Sequence, residues 1–130
     1  MPVADTSFIV DLIRHDPHAL AKLEELESQG KTLSITPIIV LELFEGAYRS
    51  LRVEENVKEI LTILSLCDEI VFDTDIYHAF GYLSATLLAC GSPVGDFDQA
   101  IAAAALCSDS EIITRDRHFE KIPELKVIGY

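Results

Sequence analysis

Short apolar runs alternate with longer segments of helical periodicity along this chain. The runs predict strands at Val3-Ala4, 33–35, 69–72, 111–114 and 126–128. Between them, apolar residues recur every three or four positions, as on one face of a helix. Because parallel neighbouring strands need a crossover connection, this alternation predicts an α/β fold with a mainly parallel central sheet flanked by helices.

Capping and breaking residues set the predicted bounds of the helices. We expect Thr6 or Ser7 to cap the first helix. Pro and Gly give the clearest start and stop signals elsewhere. The first predicted helix ends at about Arg14, and the last, a short one, ends at Lys121. Between them the sequence predicts helices from Asp16-Pro17 to Gly30, from Thr36-Pro37 to about Tyr48, over 53–66, from Asp73 or Thr74 to about Ala89, and over 98–107.

The size and composition predict one folded domain over residues 1–130. The chain has 130 residues, of which 49% are hydrophobic, so it can bury a core. No apolar run approaches the ~20 residues of a membrane span, and no signal peptide is recognisable. We therefore expect a cytoplasmic protein with no membrane partner. The cysteines (Cys67, Cys90 and Cys107) are odd in number and lack metal-site spacing, which favours buried thiols.

The chain is strongly acidic, with a formal net charge of −12. That charge argues against non-specific binding to nucleic acid, whose affinity comes largely from Lys and Arg on phosphates. It suits a basic protein partner, or a site whose acids are neutralised by metal. The distribution of charge matters more than the total, so a role with nucleic acid remains open.

Carboxylates stand where predicted strands end or helices begin. Asp5 follows the first strand, Asp116 follows the fourth, and Asp96 and Asp98 open an alanine-rich helix. In an open parallel sheet the carboxyl ends of the strands share one edge, where ligands bind. Carboxylates gathered at that edge repel one another, which favours their use in holding a hard divalent cation.

Glu42 is a further candidate because it lies in a largely apolar helical segment. An acid held among apolar groups needs a partner such as a cation. A solvated stripe shared with Glu45 is the alternative for this residue. The hydroxyl of Thr114, beside Asp116, could orient a carboxylate or a water.

Each acid also has a structural interpretation. Asp5 and Asp116 could simply cap the helices that follow, and one of Asp96 and Asp98 could cap theirs. Four other aspartates are interpreted as caps or surface residues: Asp11, Asp73, Asp75 and Asp109.

Taken as a set, the acids favour metal-assisted phosphodiester hydrolysis, with Mg²⁺ or Mn²⁺ preferred by all-oxygen ligands. The four histidines are scattered and lack zinc-site spacing. There is no Gly-rich phosphate loop and no nucleophile elbow.

Four segments resemble the PIN-domain family and, within it, the VapC-type toxins of prokaryotic toxin–antitoxin pairs. They occur in the family's order and are Val3–Ser7, Thr36–Leu43, Gly95–Ala103 and Ile113–Phe119. The resemblance implies a PIN-like three-layer α/β fold, a Mg²⁺- or Mn²⁺-dependent endoribonuclease acting on RNA, a homodimer and inhibition by a cognate antitoxin.

Carried over by position, the resemblance assigns the catalytic and metal-binding acids to Asp5, Glu42, Asp98 and Asp116, with Thr114 as a supporting hydroxyl. The family pattern D-x-x-I-A-A fits Asp98 to Ala103, so Asp96 is an addition to it and a possible fifth metal ligand. Many relatives carry Asn at the position of Asp116. The antitoxin typically lays a basic segment across the site, which would account for the acidity of the chain.

Two other functions are compatible with the acids. One is a catalytically weak PIN-type module that binds RNA or protein. The other is a receiver-like signalling domain, which also gathers acids around Mg²⁺. That class expects a lysine at the end of a late strand, and neither Lys121 nor Lys126 stands there.

Overall fold

The computed structural model describes residues 1–130 and has a five-stranded sheet at its centre, in which every neighbouring pair is parallel. The strands are β1 Val3–Ala4, β2 Ser34–Ile35, β3 Asp68–Glu69, β4 Glu111–Ile113 and β5 Lys126–Ile128. Six α-helices flank the sheet: α1 Thr6–Ile13, α2 Pro17–Ser28, α3 Pro37–Tyr48, α4 Val53–Leu64, α5 Thr74–Ala89 and α6 Asp96–Leu106. A 3₁₀ helix spans Arg117–Lys121. The predicted α/β class is confirmed.

The strand order is β3-β2-β1-β4-β5, so the direction of winding reverses at β1. The chain builds outward from β1 through β2 to β3, then returns to place β4 on the other side of β1. Such a reversal opens a crevice beyond the carboxyl ends of the two strands concerned. In this protein the crevice lies beyond Ala4 and Ile113, which are partners in the β1–β4 register.

The core fixes these two strand ends rigidly. Val3 and Ala4 of β1, and Ile112 and Ile113 of β4, are completely buried. Phe8 of α1 belongs to the same hydrophobic cluster. Because interiors are close-packed, side chains that project from these strand ends start from well-defined backbone positions.

Side-chain caps open three helices as the sequence predicts. Asp16 accepts a hydrogen bond from the Ala19 amide at 2.9 Å, and Asp73 accepts one from the Ile76 amide at 3.1 Å. Thr36 likewise caps α3. Gly30 follows α2 with a φ of +71°, a left-handed conformation that glycine adopts without strain.

The predicted caps of α1 and α6 are wrong. α1 begins after Asp5 with no side-chain cap, because the Thr6 and Ser7 hydroxyls bond to other residues instead. α6 begins at Asp96 rather than Asp98, and its N-cap position is Gly95. Neither aspartate caps the helix, since both already lie within its first turn.

Strand β3 is shorter than predicted, ending at Glu69 instead of Phe72. Its partner β2 ends at Ile35, and Pro37 then begins α3. The Ile70 amide still bonds to the Ile35 carbonyl at 2.8 Å, but beyond it no ladder remains, and Val71 is 79% exposed.

The cysteine prediction is also wrong for two of three residues. Cys90 and Cys107 are exposed, because each follows the last turn of a helix, where the chain leaves the core. Cys67 is half-buried. None of the helices is long and apolar enough to cross a membrane.

Candidate active site

Four of the predicted acids approach one another beyond the ends of β1 and β4. Asp5 ends β1, Asp116 follows β4, Asp98 lies in the first turn of α6, and Glu42 lies midway along α3. Burial is the main cause that raises the pKa values of Glu42 and Asp98. The negative charges of Asp5 and Asp98 add to the rise at Glu42, and those of Asp116 and Asp5 add to the rise at Asp98. The fold therefore places the four carboxyls in one electrostatic group.

Asp5 is the most enclosed member of the group, with only 6% of its surface exposed. Its Oδ2 accepts a hydrogen bond from the Thr114 hydroxyl at 2.7 Å and a longer one from Ser7 at 3.4 Å. Burial raises the pKa of Asp5, and the Thr114 hydrogen bond opposes that rise. Thr114 thus orients a site carboxylate, as the sequence suggests for its hydroxyl.

Glu42 and Asp98 are half-buried, and partial burial is the main reason that the pKa of each is raised. The Thr6 hydroxyl donates to Glu42 Oε1 at 3.0 Å, which ties α3 to the residue beside Asp5. No hydrogen bond within the protein holds the Asp98 carboxylate in this structure. Glu45 is exposed and pairs with Arg49 on the surface, so Glu42 and Glu45 do not share one solvated stripe.

Asp116 serves a structural and an electrostatic purpose together. Its Oδ1 accepts from the His118 amide at 2.9 Å, so it caps the 3₁₀ helix, and it also contacts His118 Nδ1 at 2.7 Å. Its own amide donates to the Thr114 hydroxyl at 2.9 Å. The charge of Asp116 raises the pKa of both Asp5 and Asp98, which places the cap within the acidic group.

Asp96 is exposed, and the structure does not draw it into the group. The pKa of Asp98 responds to Asp116 and Asp5 but not to Asp96. In an α-helix, residues two apart point to different sides, so Asp96 and Asp98 cannot both face the crevice.

The donor set suits a hard divalent cation. No Lys or Arg forms an ion pair with Asp5, Glu42 or Asp98. His118, which pairs with Asp116, is the basic group whose charge lowers the pKa of Asp98. Carboxylate and hydroxyl oxygens are ligands that Mg²⁺ and Mn²⁺ prefer. As they stand, the side chains form no group of three or more that could hold a metal ion, so binding would require carboxylate rotation.

A cleft of about 270 Å³ adjoins the acids on the side of Glu42. Thr6 and Glu42 line one part of it, and Arg14, Ser50 and Asn56 contribute polar groups further along. Arg14 forms no ion pair, so its charge is available to a ligand in the cleft. The cleft gives an extended, anionic molecule room to pass beside the carboxylates.

The sequence does not predict a second polar cluster, which consists of Asp11, Arg115 and Tyr130. Asp11, interpreted as a cap or a surface residue, is only 6% exposed and accepts from the Tyr130 hydroxyl at 2.6 Å. Its Oδ2 also lies 3.3 Å from Arg115 Nε. Helical spacing could have indicated that Asp11 is buried. It follows Phe8 by three positions and so lies on the apolar face of α1.

These features define an α/β protein with a carboxylate site at the reversal point of a parallel sheet. The sequence profile of the PIN domain family matches residues 3–125. The chain is 32% identical to the tRNA(fMet)-specific endonuclease VapC of Shigella flexneri, over 94% of this chain and 92% of that one. It is 27% identical to Ribonuclease VapC19 of Mycobacterium tuberculosis, over 97% and 98% of the two chains.

Solved structures agree with this assignment. VapBC2 from Rickettsia felis, bound to a DNA fragment from its promoter, matches with a TM-score of 0.89 at 26% identity, over 98% of this chain and 96% of that one. DNA-bound VapBC from Salmonella typhimurium matches with a TM-score of 0.87 at 28% identity, over 99% and 98%. The chain belongs to the PIN domain family and, within it, to the VapC-type proteins. The receiver-like alternative is thereby set aside.

Proposed function

We propose that this protein is a Mg²⁺- or Mn²⁺-dependent endoribonuclease and the toxin of a toxin–antitoxin pair. The observation that carries the proposal is the group of Asp5, Glu42 and Asp98, whose carboxyls repel one another and form no ion pair with any Lys or Arg of the chain. Relatives named as endonuclease and ribonuclease support the activity. Structural neighbours named as VapBC assemblies support the partner.

In this mechanism Asp5, Glu42, Asp98 and Asp116 would hold the cation or cations. When held by these residues, a divalent cation would supply Lewis-acid polarisation of the scissile phosphate and would lower the pKa of a water near it. Thr114 fixes one oxygen of Asp5, and Thr6 fixes one oxygen of Glu42, which limits the rotamers open to each ligand. The unbonded Asp98 carboxylate is the one freest to turn towards a ligand.

The proposal extends to the partners of the protein. A net charge of −12 and an acidic crevice suit a basic antitoxin segment that covers the site and supplies the missing counter-charge. We further propose a homodimer, as the family resemblance implies. RNA phosphates, in contrast, would approach the site with metal bound, when the local charge is reduced.

The proposal predicts that Asp98→Asn lowers RNA cleavage by about 100-fold or more, because a ligand charge is lost while the side-chain shape is kept. Purified wild-type and variant proteins would be assayed on bulk cellular RNA and on initiator transfer RNA, with Mg²⁺, with Mn²⁺ and with EDTA. Asp75→Asn is the matched control, since Asp75 also lies in the first turn of a helix but is exposed.

Normal cleavage by Asp98→Asn would overturn the assignment of the site. Cleavage that EDTA leaves unchanged would overturn the role of the metal. RNA binding without cleavage by the wild-type protein, together with no heat of metal binding in calorimetry, would instead indicate the RNA- or protein-binding module.

A further inference from the structure

Arg115 is held by a buried carboxylate next to the acidic group. Its Nε lies 3.3 Å from Asp11 Oδ2, and the Asp11 side chain is 9% exposed. A buried carboxylate without a charged partner is costly, which favours keeping the Arg115 guanidinium beside Asp11. The Arg115 side chain as a whole is 58% exposed.

Tyr130 also binds the Asp11 carboxylate. Its hydroxyl donates to the same Oδ2 at 2.6 Å, and its ring packs edge-on against Phe8 with 4.9 Å between the ring centroids. Burial, followed by the hydrogen bond to Asp11, raises the pKa of Tyr130 far above its usual range. The hydroxyl therefore remains a donor, and Asp11 has little freedom to turn away from Arg115.

The backbone of Arg115 is tied directly to the site. Its amide bonds to the Ser7 hydroxyl at 3.3 Å, and Ser7 in turn contacts Thr114 at 3.2 Å and Asp5 at 3.4 Å. Arg115 also lies between Thr114 and Asp116 in the chain. Its guanidinium therefore projects from the segment that shapes the acidic group.

A guanidinium has five N–H donors, and the contact of Arg115 with Asp11 is an ion pair at Nε. The remaining donors form a planar fork that matches a phosphate. Because Asp11 and Tyr130 restrict the side chain in advance, binding would cost little conformational entropy.

We propose that Arg115 binds a phosphate of the RNA backbone next to the scissile one, with Asp11 and Tyr130 as positioning residues. This inference rests on the proposed ribonuclease function and assigns a substrate contact within it. An acidic site repels the flanking phosphates of its substrate, and a fixed guanidinium beside it offsets that repulsion.

The test of Arg115 measures RNA binding in the cleavage-impaired Asp98→Asn protein. Fluorescence anisotropy with labelled initiator transfer RNA would be recorded over a range of salt concentrations. We expect Arg115→Ala to weaken binding about 10-fold and to reduce the slope of log Kd against log salt by ~0.7, the value for one lost phosphate contact on a single strand.

Arg117→Ala is the matched control, because it removes the same charge two residues along the chain. Arg117 is 86% exposed and pairs only with Glu120 on the surface. An equal loss of affinity and slope in Arg117→Ala would show a general effect of charge and overturn the assignment. Unchanged binding in Arg115→Ala would do the same.

The positioning residues are tested by kinetics in the otherwise wild-type protein. Tyr130→Phe keeps the ring on Phe8 and removes only the hydroxyl, so it preserves the packing. We expect a rise of about threefold in KM with kcat and the salt slope of KM unchanged, since the charge of Arg115 remains. Asp11→Asn should act in the same direction, and Arg115→Lys should restore the salt slope without restoring KM fully.

If Tyr130→Phe lowered kcat and left KM unchanged, the Tyr130 hydroxyl would act on the acidic site and not on substrate binding. That result would overturn its role in positioning Arg115. The two proposals fail in different ways. Absence of cleavage by the wild-type protein removes the ribonuclease function, whereas wild-type cleavage with normal KM in Arg115→Ala removes only the phosphate contact.

Discussion

At the scale of single residues, hydroxyl groups govern the acidic site as much as the acids do. Thr6, Ser7 and Thr114 each donate to, or contact, a site carboxylate or one another. A carboxylate that accepts a hydrogen bond in its charged form is easier to ionise. The hydroxyls therefore offset part of the burial that makes Asp5 and Glu42 harder to ionise.

Thr114→Val tests this balance through the pH dependence of cleavage. Loss of the hydrogen bond should raise the pKa of Asp5 further, so the acidic limb of the pH–rate profile should move to higher pH. A hydrogen bond to a charged group contributes ~1.5 kcal/mol, which corresponds to a shift of about one unit and about a tenfold loss of rate on that limb.

Thr114→Ser is the control, because it keeps the hydroxyl. Its acidic limb should coincide with that of the wild-type protein. An equal shift in Thr114→Ser would show that the lost methyl group, rather than the hydrogen bond, changes the site.

Sequence reasoning finds the acids but not the residues that orient them, apart from Thr114. Strand ends are recognisable from apolar runs, and Asp5 and Asp116 stand directly after them. Ser7, in contrast, contacts Thr114 and Arg115, which lie more than 100 positions away in the sequence. Asp11 contacts Arg115 and Tyr130, which are also more than 100 positions away. Contacts so distant in sequence depend on the strand order, which local patterns do not contain.

At the scale of elements, α6 depends on its small residues. Ala102, Ala103, Ala104 and Ala105 are all buried, with at most 1% of their surface exposed. Such small side chains let the helix lie close to its neighbours. The same packing fixes the first turn of α6, which carries Asp98.

Ala103→Leu should therefore destabilise the protein by about 1–3 kcal/mol, because a close-packed interior has no room for the added atoms. Chemical denaturation monitored by circular dichroism measures the change. Ala85→Leu makes the same substitution at an exposed position of α5 and should change the unfolding free energy by less than ~0.5 kcal/mol. Equal effects of the two substitutions would contradict the close approach of α6.

The bounds of the elements follow from sequence where a cap or a proline sets them. Asp16, Thr36 and Asp73 mark three helix starts correctly. The end of β3 is not marked in its own sequence, since it depends on where β2 stops offering backbone partners. The start of α6 is obscured for another reason: it has two aspartates near its beginning and uses neither as a cap.

At the scale of the whole molecule, the acidic group makes stability depend on pH and on cations. The pKa values of Asp5, Glu42 and Asp98 are raised in the folded state. Such groups contribute stability that is present below their unfolded pKa values, near 4, and is lost as pH rises through the folded values. Without divalent cations, the folded state is therefore weakened at neutral pH by its own site.

Asp98→Asn should raise the Tm of the EDTA-treated protein at pH 7 by about 2 °C, since the partly exposed group contributes only ~0.5 kcal/mol. At pH 4 the difference should shrink. Added Mg²⁺ should raise the Tm of the wild-type protein more than that of the variant. Scanning calorimetry at the two pH values measures the difference in Tm between Asp98→Asn and the wild-type protein. A Tm of Asp98→Asn below that of the wild-type protein at pH 7 would contradict the prediction.

The pairing of β1 with β4 also controls when the site can exist during translation. Val3 pairs with Ile112, so β1 must wait for β4, which is synthesised much later, before its position in the sheet is complete. Folding that requires such distant partners is slow compared with local helix formation. Asp5 and Thr114 meet only after that step, so a folding intermediate in which β4 has not yet paired with β1 has no assembled acidic site.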